Sequence, residues 1–248
     1  MLKPSLLIAA GGTGGHVFPA LAVAQAQRDA GWNVEWLGSP RGIENRVVPE
    51  NDIVLHVLKV AGVRGSGIKR LLAAPFMLIG AVLQAISVLR KVKPSVVLGM
   101  GGFAAGPGCL AAKLLGIPVV IHEQNAIPGM TNSLLARVAN RRLEAFDGAF
   151  AKKGISGGIA VGNPVRQAII EAATKNSVTD TLNVLVVGGS LGAVALNEKV
   201  PAVLAALAKE RALSIRHQCG RGRSKLVAET YKNLEIQAEA TDFIEDIA

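Results

Sequence analysis

Short aliphatic runs alternate with longer stretches of helical spacing along this chain of 248 residues. Runs such as Leu6-Leu7-Ile8-Ala9 predict strands at 5–9, 34–37, 53–57, 96–98 and 118–122, with weaker ones at 142–144 and 158–161. Between them, the spacing predicts helices over 17–29, 43–48, 72–91, 103–115 and 131–139. That order implies an α/β fold with a mostly parallel, doubly wound sheet. Gly162-Asn163-Pro164-Val165-Arg166 reads as a linker, because Gly and Asn-Pro break regular structure. A helical stretch to about Ala173 and a polar loop over 174–180 follow it. The pattern restarts at Leu182 with a strand, a helix over 193–210, a strand over 214–218, a helix near 224–233 and a strand toward Ile244. Three strands are fewer than the usual five or six, so the second domain reads as incomplete.

Ala10-Gly11-Gly12-Thr13-Gly14-Gly15-His16 lies between the first strand and the first helix. Strand, glycine turn and helix bring backbone N–H groups up to a phosphate. A degraded copy stands at Val187-Gly188-Gly189-Ser190-Leu191-Gly192-Ala193, again after an apolar run. Two copies imply two nucleotide-fold domains, 1–163 and 164–248, with chemistry in the cleft between them.

Composition sharpens this reading. Half the residues are hydrophobic but only 4% are aromatic, so the core must be aliphatic, as in parallel sheets. Cys109 and Cys219 match no metal or redox spacing and read as buried thiols of a reducing compartment. The start Met-Leu-Lys-Pro-Ser shows no signal-peptide pattern, which makes the cytosol the default.

Charge is uneven. Residues 1–165 carry 17 Lys and Arg against 8 Asp and Glu, whereas 166–248 carry 10 of each. No acid occurs between Asp52 and Glu123, while eight basic residues do. Such a surface attracts nucleic acid, anionic lipid or phosphorylated ligands. Within it, residues 71–89 hold no charge and are bracketed by Lys69-Arg70 and by Arg90, Lys91 and Lys93. That length touches the lower limit for a membrane span, but Pro75, Gly80, Gln84, Ser87 and the flanking strands oppose one. A core helix and a helix lying in the membrane interface remain. Phe76, Met77, Leu78, Ile79, Val82 and Leu83 are apolar nearly all round, which favours peripheral membrane contact over a fully buried helix. Nucleic acid is disfavoured, since no aromatic interleaving or binding motif is present.

The first glycine turn alone is a moderate signal. A dinucleotide fingerprint needs a third glycine where Val17 stands and an acid after the second strand, where the chain reads Trp36-Leu37-Gly38-Ser39. A dehydrogenase is therefore disfavoured, and the missing Gly-Lys-Ser/Thr excludes a Walker-type loop. Three further constellations follow apolar runs and so fall at carboxyl ends of strands, where open α/β sheets bind ligands. They are Gly99-Met100-Gly101-Gly102-Phe103-Ala104-Ala105-Gly106-Pro107-Gly108, His122-Glu123-Gln124-Asn125, and Gly162 to Arg166.

Together with Gly11 to His16, Gly188 to Gly192 and Phe243-Ile244-Glu245-Asp246, these motifs closely resemble the MurG-type UDP-N-acetylglucosamine transferases of bacterial cell-wall synthesis. The likeness runs the length of the chain and includes Trp36-Leu37-Gly38 and Val63-Arg64-Gly65-Ser66-Gly67-Ile68-Lys69. It implies a GT-B architecture of two Rossmann-like domains, the first docking to the membrane and taking the acceptor, the second taking UDP-sugar. It also implies an inverting hexosyltransferase that moves GlcNAc from UDP-GlcNAc to undecaprenyl-pyrophosphoryl-MurNAc-pentapeptide (lipid I), without metal or cofactor. Its place would be the cytoplasmic side of the inner membrane, held peripherally against anionic lipid. Another GT-B lipid transferase, such as one using diacylglycerol, is the alternative activity.

Direct attack by an acceptor hydroxyl needs a general base. His16 is the candidate, and capping its helix or contacting pyrophosphate is the bland alternative; Glu123 is the second candidate. The resemblance implies that Thr13, Gly14, Gly15, Asn125, Arg166, Ser190 and Ile244 bind UDP-GlcNAc. It gives Gly101, Gly102, Phe103, His122, Gly188 and Gly189 to the acceptor and diphosphate loops. Arg166 would pair with phosphate, and backbone groups of Ile244 with the uracil edge. His122 also reads as a satisfied strand-end histidine, and His56 and His217 as structural. Phe103 and Cys109 depart from the tyrosine and glycine of the pattern. Family members continue past Asp246 into further donor-binding segments, so the 248-residue chain is expected to bind UDP-GlcNAc weakly and to transfer little; a catalytically incompetent, membrane-associated fragment is the corresponding alternative.

Overall fold

The aliphatic runs of the first half become seven parallel strands in one sheet. The computed structural model describes residues 3–59, 68–173, 180–189 and 192–244. The strands are β1 (Ser5–Ala10), β2 (Asn33–Gly38), β3 (Val54–Val57), β4 (Val96–Gly101), β5 (Val119–Glu123), β6 (Arg141–Glu144) and β7 (Gly158–Ala160). Their spatial order is β3-β2-β1-β4-β5-β6-β7, so the winding reverses between β1 and β4. Helices α1 (Gly14–Asp29), α2 (Glu44–Glu50), α3 (Ile68–Val92), α4 (Ala105–Leu114) and α5 (Met130–Leu135) connect them.

Residues 6–10 of β1 are buried on both faces, which is why that strand reads as a continuous apolar run. Leu7 and Ala9 pack with Leu37, Val97 and Ile121 against Val82, Ala85 and Leu89 of α3 and Cys109 and Ala112 of α4. Ile8 and Ala10 pack with Trp36, Leu98 and Met100 against Val17, Ala20, Leu21 and Ala24 of α1. The indole Nε1 of Trp36 donates to the Ala10 carbonyl at 2.8 Å, satisfying the one polar atom of that buried ring. Cys109 is fully buried, which pushes its thiol up to about 12. Its sulfur fills the space where a side chain at Gly99 would stand.

The long apolar stretch is α3, and it is neither wholly buried nor wholly free. Ala81, Val82, Ala85 and Leu89 face the core, while Phe76, Ile79 and Leu83 are 77, 58 and 61% exposed. By length and composition 74–92 could cross a membrane, but its buried side is a working part of the domain core. Gln84, which with Ser87 is polar inside it, accepts from the Lys59 amide at 3.0 Å and donates to the Gly80 carbonyl.

The chain divides into two compact units, Met1–Gln167 and Ala168–Ala248. After helix α6 (Gln167–Ala173), the second unit holds β8 (Leu182–Val187), α7 (Val194–Leu207), β9 (Leu213–Gln218), α8 (Ser224–Asn233) and β10 (Glu239–Thr241). Its parallel sheet has the order β10-β9-β8. Val186, Leu204, Ile215, Val227 and Tyr231 form its core.

Several expected boundaries move. Helix α1 starts at Gly14 instead of Val17, α4 at Ala105 instead of Phe103, and α5 stops at Leu135. The last strand ends at Thr241, short of Ile244. Gly14 and Gly15, which read as breakers in sequence, instead open α1, where the first turn's N–H groups have no intrahelical acceptor and stand uncovered by side chains.

Candidate functional site

The carboxyl ends of β1, β4 and β5 meet where the sheet reverses, the place at which such sheets bind ligands. Thr13 is the extended N-cap of α1 and makes no side-chain cap. Gly14, Gly15 and His16 form the first turn, so the amides of Gly14 and Gly15 have no intrahelical acceptor. No acid stands in that turn, which leaves the positive end of the helix open to an anion.

Underneath lies Glu44, a residue to which the sequence reading gives no role. It is fully buried, and its carboxylate accepts from the Gly12 amide at 2.9 Å and from the Ser39 amide and hydroxyl at 2.9 and 2.8 Å. Side chains at Gly11, Gly38 or Gly42 would collide with it. The glycines of this loop therefore make room for a carboxylate that holds the loop from inside. Across the reversal, a Cβ on Gly102 would stand 2.1 Å from the Gly11 carbonyl oxygen, so the β1 and β4 loops touch backbone to backbone. Phe103, next in line, is half exposed at the rim.

His16 is the centre of the polar contacts. Its Nδ1 is 2.9 Å from Oε1 of Gln124, and its ring lies against Gly101. Gln124 in turn places Nε2 at 3.0 Å from the His122 carbonyl and 3.1 Å from His122 Nδ1. His122 Nε2 meets the Gly162 carbonyl at 3.0 Å. With 2% exposure and both nitrogens engaged, His122 ties β5 to the Gly162 segment and is closed to an acceptor. Burial pushes its pKa down, against the opposing influence of Gly162 and Glu123.

Glu123 is also buried, at 1% exposure. Oε1 accepts from the Asn125 amide and side chain, and Oε2 from Gly129 N and Asn132 Nδ2, all within 2.8–3.1 Å. Its lone pairs shape the loop after β5, which removes it as a free base. Asn125, exposed at the tip, gives one N–H of its side-chain amide to Glu123, so Oδ1 and the second N–H are what it can offer outward. Arg166 sits 5.0 Å above the ring of Phe18, and that ring lies beside Gly14. Phe18 thereby holds a guanidinium next to the open helix end, a role without any signal in the motif.

In the second unit, Gly188 donates to the Gln218 carbonyl and Gly189 has φ +77°. Gln218 Nε2 donates to the Gly189 and Asp242 carbonyls, joining this loop to the segment after β10. Ile244 is 5% exposed and anchors that segment. Ser190 and Leu191, Glu245 and Asp246, and the Val63 to Gly67 motif lie outside the described residues. Among the described residues, no group of three His, Cys, Asp or Glu could hold a metal ion.

Comparison with known proteins agrees with this geometry. Residues 6–143 match the glycosyltransferase family 28 N-terminal domain, and residues 183–248 the family 28 C-terminal domain. The chain is 50% identical over 249 residues to the "UDP-N-acetylglucosamine--N-acetylmuramyl-(pentapeptide) pyrophosphoryl-undecaprenol N-acetylglucosamine transferase" of Pseudoalteromonas translucida, covering 99% of this chain and 68% of the relative. The protein of the same name from Aeromonas hydrophila is 49% identical, with 100% and 68% covered. Among solved structures, the Acinetobacter baumannii MurG crystal structure matches with a TM-score of 0.71 and 40% identity, over 99% of this chain and 68% of that one. A UDP-GlcNAc 2-epimerase from Neisseria meningitidis, at 14% identity and a TM-score of 0.63 over 99% of this chain and 73% of that one, shares the fold alone. The paired glycine loops, the parallel sheets and these matches establish the GT-B fold class, and the chain belongs to glycosyltransferase family 28.

Proposed function

We propose that the site transfers GlcNAc from UDP-GlcNAc to undecaprenyl-pyrophosphoryl-MurNAc-pentapeptide, with inversion at the anomeric carbon. The observation that carries this reading is His16 in the first turn of the glycine-loop helix, at the sheet reversal, with Nδ1 held by Gln124. The names of the relatives supply the substrates. In this mechanism Nε2 of His16 takes the proton of the attacking acceptor hydroxyl as the new bond to the anomeric carbon forms and UDP departs. Charge on the leaving diphosphate is given in this reading to the Gly14 and Gly15 amides and the Arg166 guanidinium of the first unit. Thr13 and Asn125 contact the donor, Ile244 backbone groups hold the uracil edge, and Gly101, Gly102 and Phe103 line the acceptor side.

Residues 1–163 form the acceptor and membrane-docking domain in this reading, and 164–248 the first part of the UDP-sugar domain. The exposed apolar stripe of Phe76, Ile79 and Leu83, with Arg90 and Lys91 in the last turn of the same helix and Lys93 just after it, supports peripheral docking on anionic lipid at the cytoplasmic face of the inner membrane.

The test is transfer of labelled GlcNAc to a lipid I analogue by the purified, folded chain. Slow labelling of the lipid, in keeping with the weak transfer expected of this 248-residue chain, that disappears in a His16→Gln variant is the expected result. Labelling of diacylglycerol in place of lipid I would select the other transferase. A folded chain that binds the lipid I analogue and labels nothing would select the non-catalytic reading.

A further inference from the structure

The amide of Gln124 can point only one way. Its Nε2 faces the His122 carbonyl oxygen at 3.0 Å and His122 Nδ1 at 3.1 Å, with the weakly accepting Met100 Sδ at 3.8 Å. The carbonyl is purely an acceptor. His122 Nδ1 is bare as well, because His122 Nε2 must donate to the Gly162 carbonyl 3.0 Å away. Turned over, the amide would set its oxygen against both lone pairs. Oε1 therefore faces His16 Nδ1 at 2.9 Å, and the bond between them is Nδ1–H donating to Oε1. The low pKa that burial gives His122 agrees with its neutral form in this chain.

A neutral His16 held in this way carries its proton on Nδ1 and a lone pair on Nε2. Free histidine in water favours the reverse, with the proton on Nε2, and that form has no lone pair there to receive a proton. The ring also rests on Gly101, where an added Cβ would come within 2.8 Å of Cε1 and Nδ1, so it has little room to slide away from Gln124. No other hydrogen bond from protein to the His16 ring exists among the described residues to choose the tautomer. We infer that Gln124 is a positioning residue that fixes His16 in the Nδ1–H tautomer and keeps Nε2 bare toward the acceptor hydroxyl. Gln124 touches no substrate in this role; it acts through His16, as an amide counterpart of the carboxylates that orient catalytic histidines. The inference rests on the assignment of His16 as the base.

The experiment reads the tautomer directly and needs no turnover, so its failure is separate from failure of the base assignment. The full chain is labelled with 15N-histidine, and long-range 1H–15N correlations are recorded at pH 8, with His16 identified by its loss in His16→Gln. The expected wild-type pattern is a protonated Nδ1 and a bare Nε2. In Gln124→Met, similar in length but unable to accept the bond, the population moves toward Nε2–H while the remaining resonances hold their positions. An Nε2–H pattern for His16 in the wild type overturns the inference without any variant. An unchanged Nδ1–H population in a folded Gln124→Met chain overturns it as well.

Discussion

The imidazole of His16 lies on the bare Cα face of Gly101, a residue whose φ of +100° only glycine adopts readily. The β4 loop thus presents a flat surface to the candidate base. Gly101→Ala would push the ring off Gln124 and strain the backbone together. Transfer is expected to fall by about 100-fold, the scale of a 1 Å misplacement at a reacting group, with a smaller loss of thermal stability. Steady-state kinetics and a melting curve on the same sample check both.

Glu44 supports the opposite side of the loop. Replacing it with Gln keeps the shape but turns one accepting oxygen into a donor facing buried donors from Gly12 and Ser39. The expected loss is about 1–3 kcal/mol of unfolding free energy, read as a lower urea midpoint.

Phe18 holds Arg166 beside Gly14 through its ring face. Phe18→Leu removes the face and keeps the bulk. UDP-GlcNAc affinity is expected to weaken by about 2–5-fold, from a cation–π contact of about 0.5–1 kcal/mol. Titration calorimetry on the wild type and the variant measures it.

His122 and His217 are both buried, and burial lowers the pKa of each from 6.5. The unfolded chain takes up protons near that value while the native sites resist, so unfolded protein binds more protons below it. Stability is therefore expected to be level above pH 6.5 and to decline as pH falls below it. Melting temperatures between pH 8 and pH 5.5 report this, and a His217→Leu variant should show the shallower slope.

Phe76 and Leu83 stand on the exposed side of α3, opposite Val82 and Leu89 in the core. Phe76→Ser is expected to weaken binding to phosphatidylglycerol vesicles about tenfold, from the loss of one large apolar contact, and to leave the melting temperature unchanged. Cosedimentation with vesicles gives the first quantity and circular dichroism the second.

The alternating pattern already contained the architecture. Continuous runs such as Leu6 to Ala10 are buried on two faces, as strands of parallel sheets are, and glycine turns after such runs mark the ends where ligands bind. Candidates such as His16, Gly101 and Arg166 were legible because motif position is a property of the chain. Glu44, Phe18 and Gln124 were not. Glu44 acts across 32 residues on Gly12, and Gln124 across 108 on His16, so neither has a local spacing to betray it. For His122 the motif leaves acceptor contact and a satisfied strand-end histidine open, and for Glu123 a second candidate base; their burial and committed hydrogen bonds favour structural roles for both. Sequence by itself determined the elements, their parallel pairing and the family, since these follow from periodicity and short motifs. Tertiary structure alone decided which side chains are free to react, because exposure and hydrogen-bond partners exist only once distant segments have packed together.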